Sequence, residues 1–144
     1  MQTIVRRMAA AGAFAFAFAA SGAAMAADPI RVVYHINEGV QKAPAVLHNI
    51  ANELNAEPNT KIVLVAHGKG IDFLLKGAKD AKGNAFTPEI ETLGMRGVEF
   101  RVCNNTLKSR HIDKSRVVSD AKIVPSGVAE IARLEHEGYV YLKP

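Results

Sequence analysis

Along most of the chain, short apolar runs alternate with longer stretches whose apolar positions recur every three or four residues. Ile30–Ile36 is β-branched and apolar between Asp28–Pro29 and Asn37–Gly39, which predicts a buried strand. Ala43, Val46, Leu47, Ile50, Ala51 and Leu54 then share one helical face. Pro44 fits only in a first turn, so that helix starts near Gln41–Ala43, and Glu57–Thr60 ends it. Lys61–Ala66 is almost wholly apolar, as expected of a strand covered on both faces. His67–Gly70 breaks the strand, and Ile71–Leu75 predicts a short helix. Lys76–Asn84 is polar, punctuated by glycine and expected to be a mobile surface loop.

Phe86, Ile90 and Leu93 predict a further helix, with Pro88 in its first turn and Gly94 or Gly97 at its end. Val98–Val102 alternates as a third strand. Residues 104–111 are expected to form a short helix, followed by irregular chain to Val124. Pro125–Gly127 starts a last helix whose buried side is Val128, Ile131, Ala132 and Leu134. Gly138 stops it, and Tyr139–Leu142 is a final short strand. The sequence contains no internal repeat and no second domain.

Strand–helix alternation with short turns predicts the α/β class, a three-layer α/β/α sandwich around a mostly parallel sheet. Right-handed crossovers bring the carboxyl ends of parallel strands to one edge, where ligands and chemistry collect. Three polar clusters fall at those ends: His35 with Asn37 and Glu38, His67 with Gly68, and Cys103 with Asn104, Asn105 and Thr106.

Composition changes the picture mainly at the amino terminus. Arg6 and Arg7 precede an uncharged run, Met8–Ala20, rich in alanine and phenylalanine. Ser21–Gly22 breaks the run, and Ala24–Met25–Ala26 supplies the small-x-small pattern of a cleavage site. Residues 1–26 therefore read as a secretory signal peptide, leaving 27–144 as one domain in the periplasm or outside the cell. Met8–Ala27 is nominally long enough for an anchor, but its alanines and glycines are weakly hydrophobic. The residues around the arginine pair fit a twin-arginine signal poorly. Removing Arg6 and Arg7 lowers the formal net charge from +4 to +2, which gives no argument for nucleic acid. No segment after the signal is long and apolar enough to span a bilayer.

The single cysteine, Cys103, carries the most chemistry. One thiol in an exported chain has no internal disulfide partner, so it is a buried inert group, an intermolecular link or a reactive centre. Its place between a predicted strand and a predicted helix surrounds it with main-chain N–H groups, which favour the thiolate. Asn104, Asn105 and Thr106 can add hydrogen bonds or cap that helix. His67, closing a strand before Gly68, can bond a thiolate or shuttle a proton, or simply be satisfied by backbone. His35 admits the same two readings, while His48 and His136 read as solvated. Soft thiolate and imidazole ligands suit copper or zinc, so convergence of His35, His67 and Cys103 would make a metal site. The spacing does not demand one, and neither a metal nor another cofactor is assigned. His67–Gly70 lacks the spacings of nucleotide-binding loops. Lys108, Arg110, His111, Lys114 and Arg116 form a basic stretch read as a solvated loop. Were it to lie over the site, it would attract sulfite, thiosulfate or an acidic partner surface.

Three segments carry a family resemblance. Gly97–Leu107, with the cysteine, Ile62–Gly68, and the end Val124–Leu134 with Glu137–Pro144 resemble the DsrE/DsrF-like family across nearly all of residues 27–144. The resemblance implies a three-layer fold with a five-stranded sheet, assembled as homo- or hetero-oligomers. It also implies a sulfur-relay function in which Cys103 carries sulfur as a persulfide and exchanges it with a donor or acceptor protein. Characterised relay members are cytoplasmic, whereas this chain reads as exported. The competing expectation is an oligomeric small-ligand or metal-binding module in which Cys103 is structural or a ligand.

Overall fold

A computed structural model describes residues 28–144; the segment 1–26, read above as a signal peptide, lies outside them. Five strands, β1 (Arg31–Ile36), β2 (Lys61–Ala66), β3 (Glu99–Cys103), β4 (Ala121–Val124) and β5 (Val140–Leu142), form one sheet in the order β4-β3-β2-β1-β5. All four neighbouring pairs are parallel. Among the described residues four α-helices accompany them: α1 (Ala43–Ala56), α2 (Thr87–Met95), α3 (Asn104–Ser109) and α4 (Gly127–His136). The sheet is thus five-stranded and wholly parallel, within an α/β fold.

Strand order explains how the faces are covered. From β1 to β4 the chain steps across the sheet in one direction, and the last connection returns past β1 to β5. A right-handed crossover changes face when its direction reverses, so α4 lies opposite the other helices. Two cores result. The larger joins Ile36, Leu64 and Phe100 of the sheet to Leu47 and Ile50 of α1 and Ile90 of α2. The smaller joins Val33, Val63 and Val65 to Ile131 and Leu134 of α4. One ten-residue helix therefore covers the second face.

Several boundaries differ from the sequence expectation. β4 was expected as irregular chain; its four residues include Lys122 and none is fully buried, so an edge strand left no apolar run to read. Cys103 is the last residue of β3, pairing with Val124, not the residue after it. The segment after β2 is two turns of 3-10 helix, Gly68–Leu74. Its glycines have steric causes: Gly68 has φ +56°, and a Cβ on Gly70 would stand 2.2 Å from the Ile36 carbonyl oxygen. The polar stretch Lys76–Asn84 forms a defined turn, with the Asp80 carboxylate accepting N–H bonds from Lys82 and Asn84 at 2.8 Å each. In α4 the buried positions are Gly127, Ile131 and Leu134, while Val128 is 62% exposed and Ala132 is exposed. A helix on a sheet needs a stripe only one residue wide per turn, and Gly127 opens it.

Candidate functional site

Strand register brings the predicted clusters together. Ile36 pairs with Ala66, and Ala66 with Val102, so β1, β2 and β3 end at one edge. His35 pairs with Val65, and Val65 with Arg101. Because side chains alternate along a strand, His35, Arg101 and Cys103 share the face that α4 covers.

Cys103 is only 5% exposed and forms the N-cap of α3. Burial pushes its thiol pKa up. The Thr106 hydroxyl and the N–H groups of Gly127, Thr106 and Asn105 oppose this and prevail, so the thiol lies below its ordinary value. Thr106 is held in that role from behind: Gly68 donates its N–H to Thr106 Oγ1 at 2.9 Å. Asn105 donates its N–H to the Pro125 carbonyl at 3.3 Å, tying α3 to the turn that leads into α4.

Gly127 fits between the thiol and a histidine. A Cβ there would stand 3.0 Å from His67 Cβ and 3.2 Å from Cys103 Cβ, closer than side-chain carbons ordinarily pack. A glycine therefore lets the first turn of α4 descend onto both residues. Ser126 caps that turn, its hydroxyl accepting from the Ala129 N–H.

Beside the thiol, His35 and His67 face each other. Their Nε2 atoms are 2.8 Å apart, and their rings stack at 4.8 Å with an interplanar angle of 24°. His35 Nδ1 lies 2.7 Å from the Tyr141 hydroxyl of β5. Burial lowers both imidazole pKa values; the nearby His67 and Lys143 lower His35 further, and Lys143 also lowers His67, with Glu38 opposing in each case. Lys143 pairs with Glu38 at 3.2 Å. Among the described residues, no three His, Cys, Asp or Glu side chains are grouped to hold a metal ion. His35 and His67 are assembled as a hydrogen-bonded pair beside the thiol.

The remaining candidates serve lesser parts. Asn37 donates its backbone N–H to Glu38 at 3.1 Å, and its side-chain oxygen is buried without a partner among the described residues. The Asn104 side-chain oxygen is likewise buried and unpartnered; Asn104 lines a 360 Å³ cavity with Lys108, His111 and Lys114. The basic stretch is exposed, but Arg110 has a specific task. It donates to the Gly68 carbonyl at 3.0 Å and pairs with Asp72 at 2.6 Å, bracing the loop after β2. His48 and His136 are exposed. Tyr141 and Gly127 were not among the sequence candidates. Nothing local marks them, since each matters only through partners more than twenty residues away.

Comparison with known proteins adds the family context. The model of the DsrE/DsrF-like family matches residues 4–144. No curated protein matches the chain. Among solved structures, the chain is similar to the protein of unknown function MTH1491 from Methanobacterium thermoautotrophicum. That match has 27% identity and a TM-score of 0.71, covering 80% of this chain and 99% of that one. The ychN protein from E. coli shares the fold, with 19% identity and a TM-score of 0.63 over 81% of this chain and 98% of that one.

Proposed function

The chain belongs to the DsrE/DsrF-like family, and from that premise we propose that it is a sulfur carrier using Cys103 as its persulfide site. The observation that carries this reading is the place of Cys103, a buried thiol at the N-cap of α3, where the Thr106 hydroxyl and nearby backbone N–H groups hold its pKa below the ordinary value. Those donors favour the thiolate, which is the nucleophile in sulfur transfer.

In the transfer, the Cys103 thiolate attacks the outer sulfur of a donor persulfide, R–S–SH. A new S–S bond forms at Cys103, the donor S–S bond breaks, and the donor leaves as R–S⁻. The sulfane sulfur changes owner with no net oxidation or reduction. With one cysteine per chain there is no resolving thiol in the subunit, so delivery is intermolecular. The partner is a sulfur-donor or acceptor protein.

The same reading makes the protein an exported homo-oligomer. Export rests on the composition of residues 1–26, and assembly on exposed Val128, Val140, Tyr141 and Leu142, which a second copy would cover. The deciding experiment is incubation of the protein with a persulfide donor, followed by intact-mass measurement. The wild type gains about 32 mass units per chain, one sulfur atom, and Cys103→Ser gains none. A wild type that stays unlabelled while its thiol alkylates normally overturns the carrier reading. Stoichiometric copper or zinc, lost on Cys103→Ala, would establish the metal-binding alternative.

A further inference from the structure

Packing alone does not account for the line of Tyr141, His35 and His67. Two imidazoles meeting through Nε2 atoms need one ring to donate and the other to accept, so a single proton occupies the contact. The contact already holds its one proton and Tyr141 engages His35 Nδ1, so an added proton enters at His67 Nδ1, the one ring nitrogen outside these two contacts. The charge is then shared as one cation across the pair, and two cations at 2.8 Å repel each other strongly. The pair thus holds one extra proton and never two.

Its location ties it to the thiol. His67, just after β2, and Cys103, ending β3, abut the same residue, Gly127. The ring edge of His67 that faces Gly127 is Cδ2, 3.5 Å from the place a Cβ would take. Tyr141, 38% exposed, fixes the far end by engaging His35 Nδ1. The groups facing the pair are Glu38 after β1, Cys103 from β3, and Tyr141 and Lys143 from β5 and the residues beyond it. On the same face β3 also carries Arg101, paired with Glu130 of α4, and the first turn of α4 presents the backbone of Gly127.

We propose that His35 and His67 form a single-proton store for the sulfur at Cys103, with His67 exchanging the proton and His35 and Tyr141 acting as positioning residues. The use of that proton rests on the carrier reading. Attack on R–S–SH leaves Cys103–S–SH and R–S⁻. The S–H proton passes to His67 Nδ1, since Nε2 is engaged by His35, the pair carries it as one cation, and one proton returns to R–S⁻. The products are Cys103–S–S⁻ and R–SH, with no redox change. The neutral pair is ready to accept at neutral pH because burial holds both imidazoles low.

The test is the single-turnover rate of sulfur uptake from cysteine persulfide between pH 5 and 9, with histidine ring resonances followed by NMR on the same protein. His67→Gln is expected to slow uptake about 100-fold, the lower end for a positioned acid–base group, with partial restoration by added imidazole. His35→Gln and Tyr141→Phe are expected to slow it about tenfold and to move the inflection of the pH–rate profile. Both wild-type histidines should titrate together. Uptake profiles that superimpose across wild type and variants overturn the store while leaving the carrier intact. If wild-type protein takes up no sulfur, the carrier reading fails, and the alkylation profile of Cys103 decides the store separately. A shift of that profile in His67→Gln supports it, and an unchanged profile overturns it.

Discussion

Gly68 and Thr106, residues of different strand–helix junctions, meet where the Gly68 N–H donates to Thr106 Oγ1 at 2.9 Å. Because that hydroxyl accepts from the loop after β2, its own hydrogen is free for the Cys103 sulfur. The loop is in turn held by Arg110, which grips the Gly68 carbonyl and Asp72. The acidity of the thiol therefore depends on a chain of contacts reaching from α3 to the segment after β2.

Thr106→Val keeps the shape of the side chain and removes the hydroxyl. The Cys103 thiol pKa should rise, because burial then meets fewer opposing donors. Iodoacetamide alkylation measured against pH should show the inflection displaced upward. The orphaned Gly68 N–H should cost roughly 1–3 kcal/mol in denaturant unfolding. An unmoved inflection would remove Thr106 from the account of the thiol.

Gly127→Ala introduces a carbon 3.0 Å from His67 Cβ and 3.2 Å from Cys103 Cβ. The first turn of α4 must lift, taking the Gly127 N–H, which favours the thiolate, further from the sulfur. Stability should fall by about 1–3 kcal/mol, the range for overpacking, and thiol alkylation at neutral pH should change with it. Ala129→Gly, in the same turn but exposed, serves as the control for helix propensity.

Acid should weaken the fold through Glu130. Burial opposes its ionisation, but hydrogen bonds from Arg133 and Arg101 outweigh burial and hold its pKa below the ordinary 4.5. A carboxyl lowered by folding contributes stability above its unfolded pKa and loses it as pH falls through the folded value. Glu130→Gln should flatten the stability–pH curve below about pH 4.5. Arg101→Met leaves a carboxylate that is only 11% exposed short of a partner and should cost roughly 3 kcal/mol at pH 7.

The histidine pair predicts a second, higher window with the same sign. Both imidazoles bind protons less readily folded than unfolded, where their ordinary value is 6.5. The unfolded chain therefore takes up more protons as pH drops below that value, and stability falls. A double variant, His35→Gln with His67→Gln, should lose this dependence in urea titrations between pH 7 and 5. Persistence of the full slope in the double variant would place its origin elsewhere.

Much of the architecture was legible because it is local. Lys61–Ala66 is an uninterrupted apolar run and is β2 with the same bounds, and Pro44 marked the first turn of α1. The strand–helix rhythm implied the parallel sheet, and the placement of Cys103 at a strand–helix boundary held to within one residue. Val128 misled because an apolar residue at helical spacing carries no sign of which side faces the sheet. β4 was missed because a short edge strand needs neither an apolar run nor alternation.

The sequence by itself determined most element types, β4 excepted, the parallel sheet and the lone thiol at a strand–helix junction, since periodicity and breaker residues act over a few positions. Only the tertiary structure decided which distant residues that thiol meets. Strand order set His35 beside His67, brought Tyr141 from the last strand to His35, and sent α4 over the second face so that Gly127 lies against Cys103. Those contacts join residues separated by 24 to 106 positions in the chain. The energy that selects them comes from burying whole faces of the sheet, and no local pattern records how the faces will meet.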